Sequence, residues 1–336
     1  MIRYYDHNAP FELESGAVLP ALRIAFHTYG ELNAARDNTV WVCHALTASS
    51  DVADWWPHTV GEGRFLDPSR HFVVCANILG SHYGTTGPLH TDPATGRPYY
   101  GSFPAFTIRD MVRAHRLLAD ALGIRKIRAL VGSSVGGFQA VEWAVAEPER
   151  FGRLALIATA AKASPWAIAI DETQRMAIEA DATFGEPRDD AGMAGLAAAR
   201  AIGLLTYRGA QGYNLTQQDP DEYPARHRAA TYQQYQGEKL CRRYNAYSYH
   251  AILNAFDTHD IGRGRGGVVR ALERIAARTM VVGIATDMIF PPAEMRRLQA
   301  MIPRSEYREI YSPFGHDGFL VEHERLDAIL RPFING

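Results

Sequence analysis

The sequence predicts an α/β fold, with a mostly parallel central sheet, helices on both faces and a helical insertion. Three observations lead there. Short, bulky apolar runs alternate with helix-spaced segments in the first half of the chain. A strand-poor stretch from about residue 164 to about residue 275 then interrupts the alternation, which resumes and continues to the C-terminus. Short apolar strands separated by helices are the signature of a parallel sheet covered on both faces.

The elements follow in order. Leu22–Tyr29 alternates loosely and reads as a strand, closed by the polar break Ala34–Asn38. Thr39–Cys43 and Phe72–Ala76 are short apolar runs, as strands buried on both faces require. In Thr107–Leu122, residues Ile108, Met111, Val112, His115, Leu118 and Leu122 recur at helical spacing, and Gly123 supplies a stop. Arg128–Val131 reads as a strand, Gly136–Ala146 as a helix and Leu154–Ala158 as a strand. After the insertion come strand Thr279–Ile284, helix Ala293–Met301, strand Tyr307–Tyr311 and a last helix ending near Ile334. The expected division is a core of residues 1–163 and 276–336, with a helical lid over residues 164–275.

Composition narrows the function. With 336 residues and 47% hydrophobic content, the chain can bury a large core without staples. A formal charge of −2 offers no basic excess for nucleic acid or an anionic membrane, so neither is expected as a partner. Cys43, Cys75 and Cys241 are too few and too scattered for a disulfide framework or a metal cluster, and no metal is expected. The N-terminal stretch shows no signal peptide, and no run approaches the roughly 20 apolar residues of a membrane span. A cytoplasmic protein is the expectation.

The chemistry is written where strand Arg128–Val131 runs into Gly132-Ser133-Ser134-Val135-Gly136-Gly137 and a helix follows. This is G-x-S-x-G in the strand–turn–helix setting of the α/β-hydrolase nucleophile elbow, where small flanking residues permit a turn tight enough to hold the Ser134 hydroxyl at the sheet edge. A serine needs a base, and the base an orienting acid. The fold's chain order is Ser, acid, His. Asp287 follows strand Thr279–Ile284 and His316 follows strand Tyr307–Tyr311, both at strand C-terminal ends, where α/β sheets place their sites. The oxyanion hole needs two backbone N–H donors, expected from Val135 and from Leu46 in the loop after Thr39–Cys43. His44 precedes the serine, breaks the order, and reads as a packed loop residue. The Gly262–Gly267 run satisfies G-x-G-x-x-G, but no strand feeds it, so it reads as a flexible basic loop whose Arg263 and Arg265 are candidates for anion contact. Asp257, His259 and Asp260 read as capping or surface residues rather than metal ligands.

Several segments resemble the homoserine O-acetyltransferase family of α/β-hydrolase-fold acyltransferases. They include CHALTASSDVADWW (Cys43–Trp56), NILGSHYGTTGP (Asn77–Pro88), VGSSVGG (Val131–Gly137), DETQRMAIEAD (Asp171–Asp181), ARAIGLLTYRG (Ala199–Gly209), YQGEKL (Tyr235–Leu240), TDMIFPP (Thr286–Pro292) and GHDGFL (Gly315–Leu320). The resemblance spans nearly the whole chain. It implies transfer of acetyl from acetyl-CoA, a co-substrate rather than a bound cofactor, to the hydroxyl of L-homoserine through an acetyl-Ser134 intermediate, a step toward methionine. By the family's pattern Arg200 matches the arginine that holds the substrate carboxylate, Asp317 the acid that meets its ammonium, and Tyr207 a pocket-lining residue. The insertion would shield the acyl-enzyme from water and build a homodimer. The chain departs from the pattern at Ser133 (commonly Gly), Val135 (Leu or Met), Ile170-Asp171-Glu172 (often Phe-Asn-Glu) and His82 (often Cys). Succinyl-CoA as donor, serine as acceptor, or water acting on esters would use the same triad and stand as the alternatives.

Overall fold

The computed structural model describes residues 1–223 and 225–336. Eight strands form the central sheet: β1 (Arg3–His7), β2 (Leu22–Tyr29), β3 (Thr39–Cys43), β4 (Phe72–Ala76), β5 (Ile127–Ser133), β6 (Phe151–Ile157), β7 (Arg278–Ile284) and β8 (Ser305–Ile310). Their spatial order is β1-β2-β4-β3-β5-β6-β7-β8. β1 pairs antiparallel with β2, β2 antiparallel with β4, and every pair from β4 to β8 is parallel. Helices α1 (Ile108–Ala121), α2 (Val135–Ala146), α7 (Pro292–Ala300) and α8 (His323–Asn335) accompany the parallel strands. Four longer helices, α3 (Pro165–Glu179), α4 (Met193–Thr216), α5 (Arg228–Cys241) and α6 (Ala246–Asp257), fall between β6 and β7, followed by the five-residue helix Val268–Leu272.

The physical reason for this layering is visible strand by strand. All five residues of β3 and of β4 are buried, so both faces of the sheet centre are covered. On one face Trp41 meets Trp143 edge-on at 5.1 Å, and the His115 ring stacks on Trp143 at 5.9 Å. On the other, Val40, Val42, Val73 and Val131 pack with Leu326, Leu330 and Phe333 of α8. Helix α1 opens with a capping box: the Asp110 amide donates to Thr107 Oγ1, and the Asp110 carboxylate accepts from the Thr107 amide. This satisfies two donors that a bare helix end would strand.

Most sequence-derived boundaries fall within one to three residues of the observed ones, as with α1 and α7. Strand β1 and the two-strand hairpins Phe11–Glu12/Val18–Leu19 and Thr91–Asp92/Arg97–Pro98 escaped the periodicity reading. They are short or exposed, so burial imposes little apolar pattern on them. Among the described residues, no helix is long and apolar enough to cross a membrane.

Candidate active site

Strand β5 ends at Ser133, and the next residue turns the chain sharply. Ser134 has φ +55° and ψ −128°, a conformation that costs a non-glycine residue energy and persists only where its surroundings impose it. Those surroundings are close-packed backbone. A Cβ on Gly136 would lie 2.1 Å from the Cys43 carbonyl oxygen, and one on Gly132 would lie 2.3 Å from that of Gly136. Only glycine fits either position. This approach sets the N-terminus of α2 against the end of β3, bringing Val135 beside the loop that carries Leu46.

The three side chains far apart in sequence meet here. His316 Nε2 lies 2.9 Å from Ser134 Oγ, and His316 Nδ1 lies 2.7 Å from Asp287 Oδ2. Asp287 Oδ1 in turn accepts backbone N–H bonds from Ile289 at 2.8 Å and Phe290 at 3.0 Å, which hold the carboxylate in one orientation. All three residues are at least nine-tenths buried. Burial works against the imidazolium of His316. The negative charge of Asp287, its hydrogen bond and the charge of Asp317 together outweigh that, so the His316 pKa stands above the ordinary histidine value. Such an arrangement can deprotonate a hydroxyl and stabilise the resulting imidazolium.

Two backbone amides complete the geometry. Among the described residues no acceptor takes the N–H of Leu46 or of Val135, and both residues line the cavity that contains Ser134. Their loop is anchored from below. His44 Nδ1 bonds the Ala45 carbonyl at 2.8 Å, and its Nε2 accepts the Ile78 amide at 3.2 Å. Burial depresses the His44 pKa to about 4, so the ring is neutral and serves packing, as its place before the serine suggests.

The cavity encloses about 600 Å³. Core loops form its floor and the insertion helices its roof, through Ile170, Asp171, Arg200, Tyr207, Lys239 and Phe256. Arg200, Tyr207 and Asp317 all face it, but their circumstances differ. The Arg200 guanidinium lies 5.6 Å from the centre of the Tyr207 ring, and neither a carboxylate nor another hydrogen-bond acceptor claims it among the described residues. Tyr207 packs 6.2 Å from the His316 ring, its phenol pushed up to about 12 by burial and the charge of Asp171, with Arg200 opposing. Asp317 is already engaged: its Oδ2 accepts from Arg208 Nε at 3.2 Å. Sequence reasoning passed over Arg208, though it directly follows Tyr207 in a segment already singled out. Asp171 stood there only as a departure from the family's pattern near the lid. Asp171 sits in the cavity wall with its pKa held well above the usual carboxylate range by burial and by neighbouring Asp257, against the pull of Arg175.

Other candidate residues are occupied elsewhere. Arg263 pairs with Glu14 at 2.9 Å and Arg265 with buried Glu142, and neither lines the cavity, so they are not available to a ligand there. Asp257 holds Arg175 at 2.6 Å, Asp260 holds Lys162 at 2.8 Å, and His259 stacks on Phe138 while bonding the Ala160 carbonyl.

Comparison with known proteins agrees with this geometry. Residues 38–323 match the alpha/beta hydrolase fold family. The chain is 46% identical to a homoserine O-acetyltransferase of Cyclobacterium marinum over 96% of its own length and 92% of that protein's. Its fold superposes on the crystal structure of homoserine O-acetyltransferase from Bacillus anthracis with a TM-score of 0.93, at 23% identity, covering 100% of this chain and 98% of that one. The acetyl esterase MekB superposes with a TM-score of 0.90 at 26% identity, covering 100% and 97%. A strained serine elbow, a Ser–His–Asp relay at a roofed cavity and near-full-length similarity lead to one conclusion: the chain belongs to the homoserine O-acetyltransferase family of the α/β hydrolase fold.

Proposed function

We propose that this enzyme transfers an acetyl group from acetyl-CoA to the side-chain hydroxyl of L-homoserine through an acetyl-Ser134 intermediate. One observation carries the proposal: the cavity that holds Ser134 also presents Arg200, a cation with no hydrogen-bond acceptor among the described residues, together with Asp317. A zwitterionic amino acid needs that pair of charges, and an arginine can grip its carboxylate with two parallel bonds. Asp317 Oδ1 takes no hydrogen bond among the described residues and is the proposed contact for the ammonium, with Arg208 holding the other oxygen.

The steps follow from the relay. His316 Nε2 accepts the Ser134 proton as Oγ attacks the thioester carbonyl carbon. The Leu46 and Val135 N–H groups receive the oxyanion. The C–S bond breaks, and the CoA thiolate leaves with the proton from His316. Homoserine then enters, His316 removes its hydroxyl proton, and that oxygen attacks the acetyl carbon. Collapse expels Ser134, which regains its proton from His316. Asp287 keeps the imidazole in the required tautomer throughout.

The roof of helices α3 to α6 limits water at the acyl-enzyme, as transfer to an acceptor requires. The same helices expose Trp166, Met176, Leu205, Leu215 and Tyr235, which supports a homodimer built through the roof. A hydrolase acting on acetyl esters is the second reading, favoured by the likeness to MekB. Mass spectrometry after acetyl-CoA treatment tests the first: we expect acetylation on the peptide containing Ser134, none in Ser134→Ala, and removal of the mark by L-homoserine. CoA release at an equal rate with and without an amino acid would establish the hydrolase instead.

A further inference from the structure

Arg243 lies in the short connection between α5 and α6, exposed at the cavity mouth, and the chemistry above gives it no task. Every side-chain hydrogen bond it makes among the described residues crosses from the helical roof to the core. Nη1 donates to the Thr47 carbonyl at 2.5 Å and to the Tyr83 hydroxyl, and Nη2 reaches Thr47 Oγ1 at 3.4 Å. Thr47 is the residue after Leu46, whose N–H is the proposed second oxyanion donor.

The loop from His44 to Ser50 is well held at its ends. The Ser50 amide donates to Asn77 Oδ1 at 2.7 Å, the Ser49 carbonyl accepts from Trp55 Nε1 at 2.8 Å, and His44 is bonded on both ring nitrogens. Its tip is not. Residues Leu46 and Thr47 are spanned by one turn bond, Ala48 amide to Ala45 carbonyl at 3.1 Å, and otherwise by Arg243 and a long 3.4 Å contact from the Tyr83 hydroxyl. The Leu46 N–H shares a rigid peptide plane with the Ala45 carbonyl, which His44 Nδ1 and the Ala48 amide hold within the Ala45–Ala48 turn; the Arg243 bond to the Thr47 carbonyl holds that turn from its other side.

The residues after Arg243 hold it in place. Tyr244 is 2% exposed and packs edge-on against Tyr83 at 5.6 Å, and Asn245 Nδ2 donates to His82 Nδ1 at 2.8 Å. Asn245 Oδ1 caps α6 by accepting the Ser248 amide at 2.7 Å, which orients the amide group. Three consecutive residues thus latch the roof onto the Thr47 and Tyr83 loops.

We propose that Arg243 is a positioning residue that fixes the place of the Ala45–Ala48 turn carrying the Leu46 N–H, so that docking of the helical roof steadies the oxyanion hole. The proposal rests on the reading of Ser134 and Leu46 given above. Deleting an oxyanion donor costs about 10²- to 10³-fold in rate. Misdirecting one at an exposed contact should cost less, on the order of tenfold.

The test uses p-nitrophenyl acetate, which acylates the serine without CoA or an amino acid. In Arg243→Met we expect acylation about tenfold slower, faster hydrogen exchange in residues 44–50, and a KM for acetyl-CoA within about threefold of the parent's; Arg243→Lys should recover part of the rate. Unchanged acylation with a raised KM for acetyl-CoA would overturn the proposal and make Arg243 a donor contact. Should Arg243→Met fail to fold, Arg243→Gln, which keeps a polar group at this exposed position but is too short to reach Thr47, takes its place: slower acylation with faster exchange in residues 44–50 supports the proposal, and parent values of both refute it. Failure of the underlying reading shows separately, as a parent enzyme that acylates no faster than Ser134→Ala.

Discussion

Replacing Asp287 by Asn tests the relay through its hydrogen-bond directions rather than its shape. Asp287 Oδ1 accepts two backbone N–H bonds, from Ile289 and Phe290, while Oδ2 faces His316 Nδ1 at 2.7 Å. An asparagine has one acceptor oxygen, and the two fixed N–H groups claim it. Turning the amide over would strand those buried donors, at about 1–3 kcal/mol each. The Asn NH₂ therefore points at Nδ1, which must give up its proton to accept. The imidazole proton moves to Nε2, 2.9 Å from Ser134 Oγ, and no lone pair remains there to take the serine proton. In the general triad this error costs about 10⁴-fold, equivalent to about 5.5 kcal/mol of barrier at 1.36 kcal/mol per decade. The assay is the pre-steady-state release of p-nitrophenolate from p-nitrophenyl acetate, with circular dichroism to verify the fold. Loss of the carboxylate charge should also move the acid limb of the remaining activity to lower pH, since Asp287 is part of what raises the His316 pKa. An Asp287→Asn enzyme acylating within tenfold of the parent would refute this account of the relay.

Other outcomes follow from the same structure. Arg200→Gln should raise the KM for the acceptor amino acid about 10- to 100-fold, the range of a charge-assisted contact, while leaving acylation by acetyl-CoA within threefold. Equal loss in both half-reactions would remove Arg200 from the acceptor site. Buried His44, His115 and His259 have pKa values depressed to about 4, chiefly by burial. Below pH 6.5 the unfolded chain binds protons that the folded chain refuses, so stability should fall as pH drops toward 4, by roughly 3 kcal/mol per histidine; urea midpoints across that range measure it. Among the described residues, Arg265→Ala leaves Glu142, 4% exposed at its side chain, with the more distant Arg109 at 3.5 Å as its cation. We expect a loss of about 3 kcal/mol, read from the same titrations, with Glu142→Gln in that background recovering part of it.

The sequence by itself determined the chain order of strand, elbow and helix around Ser134, and the placement of Asp287 and His316 just past strand ends. Those features are local: small residues at a turn, apolar runs at strand spacing, and loops whose position follows from the strands before them. It also shows a strand-poor stretch that breaks the regular alternation, where the structure has helices α3 to α6. What it could not express was which charges are already satisfied. Arg263 and Arg265 looked free in a glycine-rich run, yet Glu14 and Glu142, more than a hundred residues away, hold them. Asp317 looked free and is held by Arg208, whereas Arg200 nearby lies over the Tyr207 ring with no carboxylate partner among the described residues. The bond from Arg243 to Thr47 joins residues 196 positions apart. Local torsions and apolar periodicity are written along the chain. The pairing of charges and hydrogen-bond donors depends on distances of a few ångströms across it, and only folding sets those.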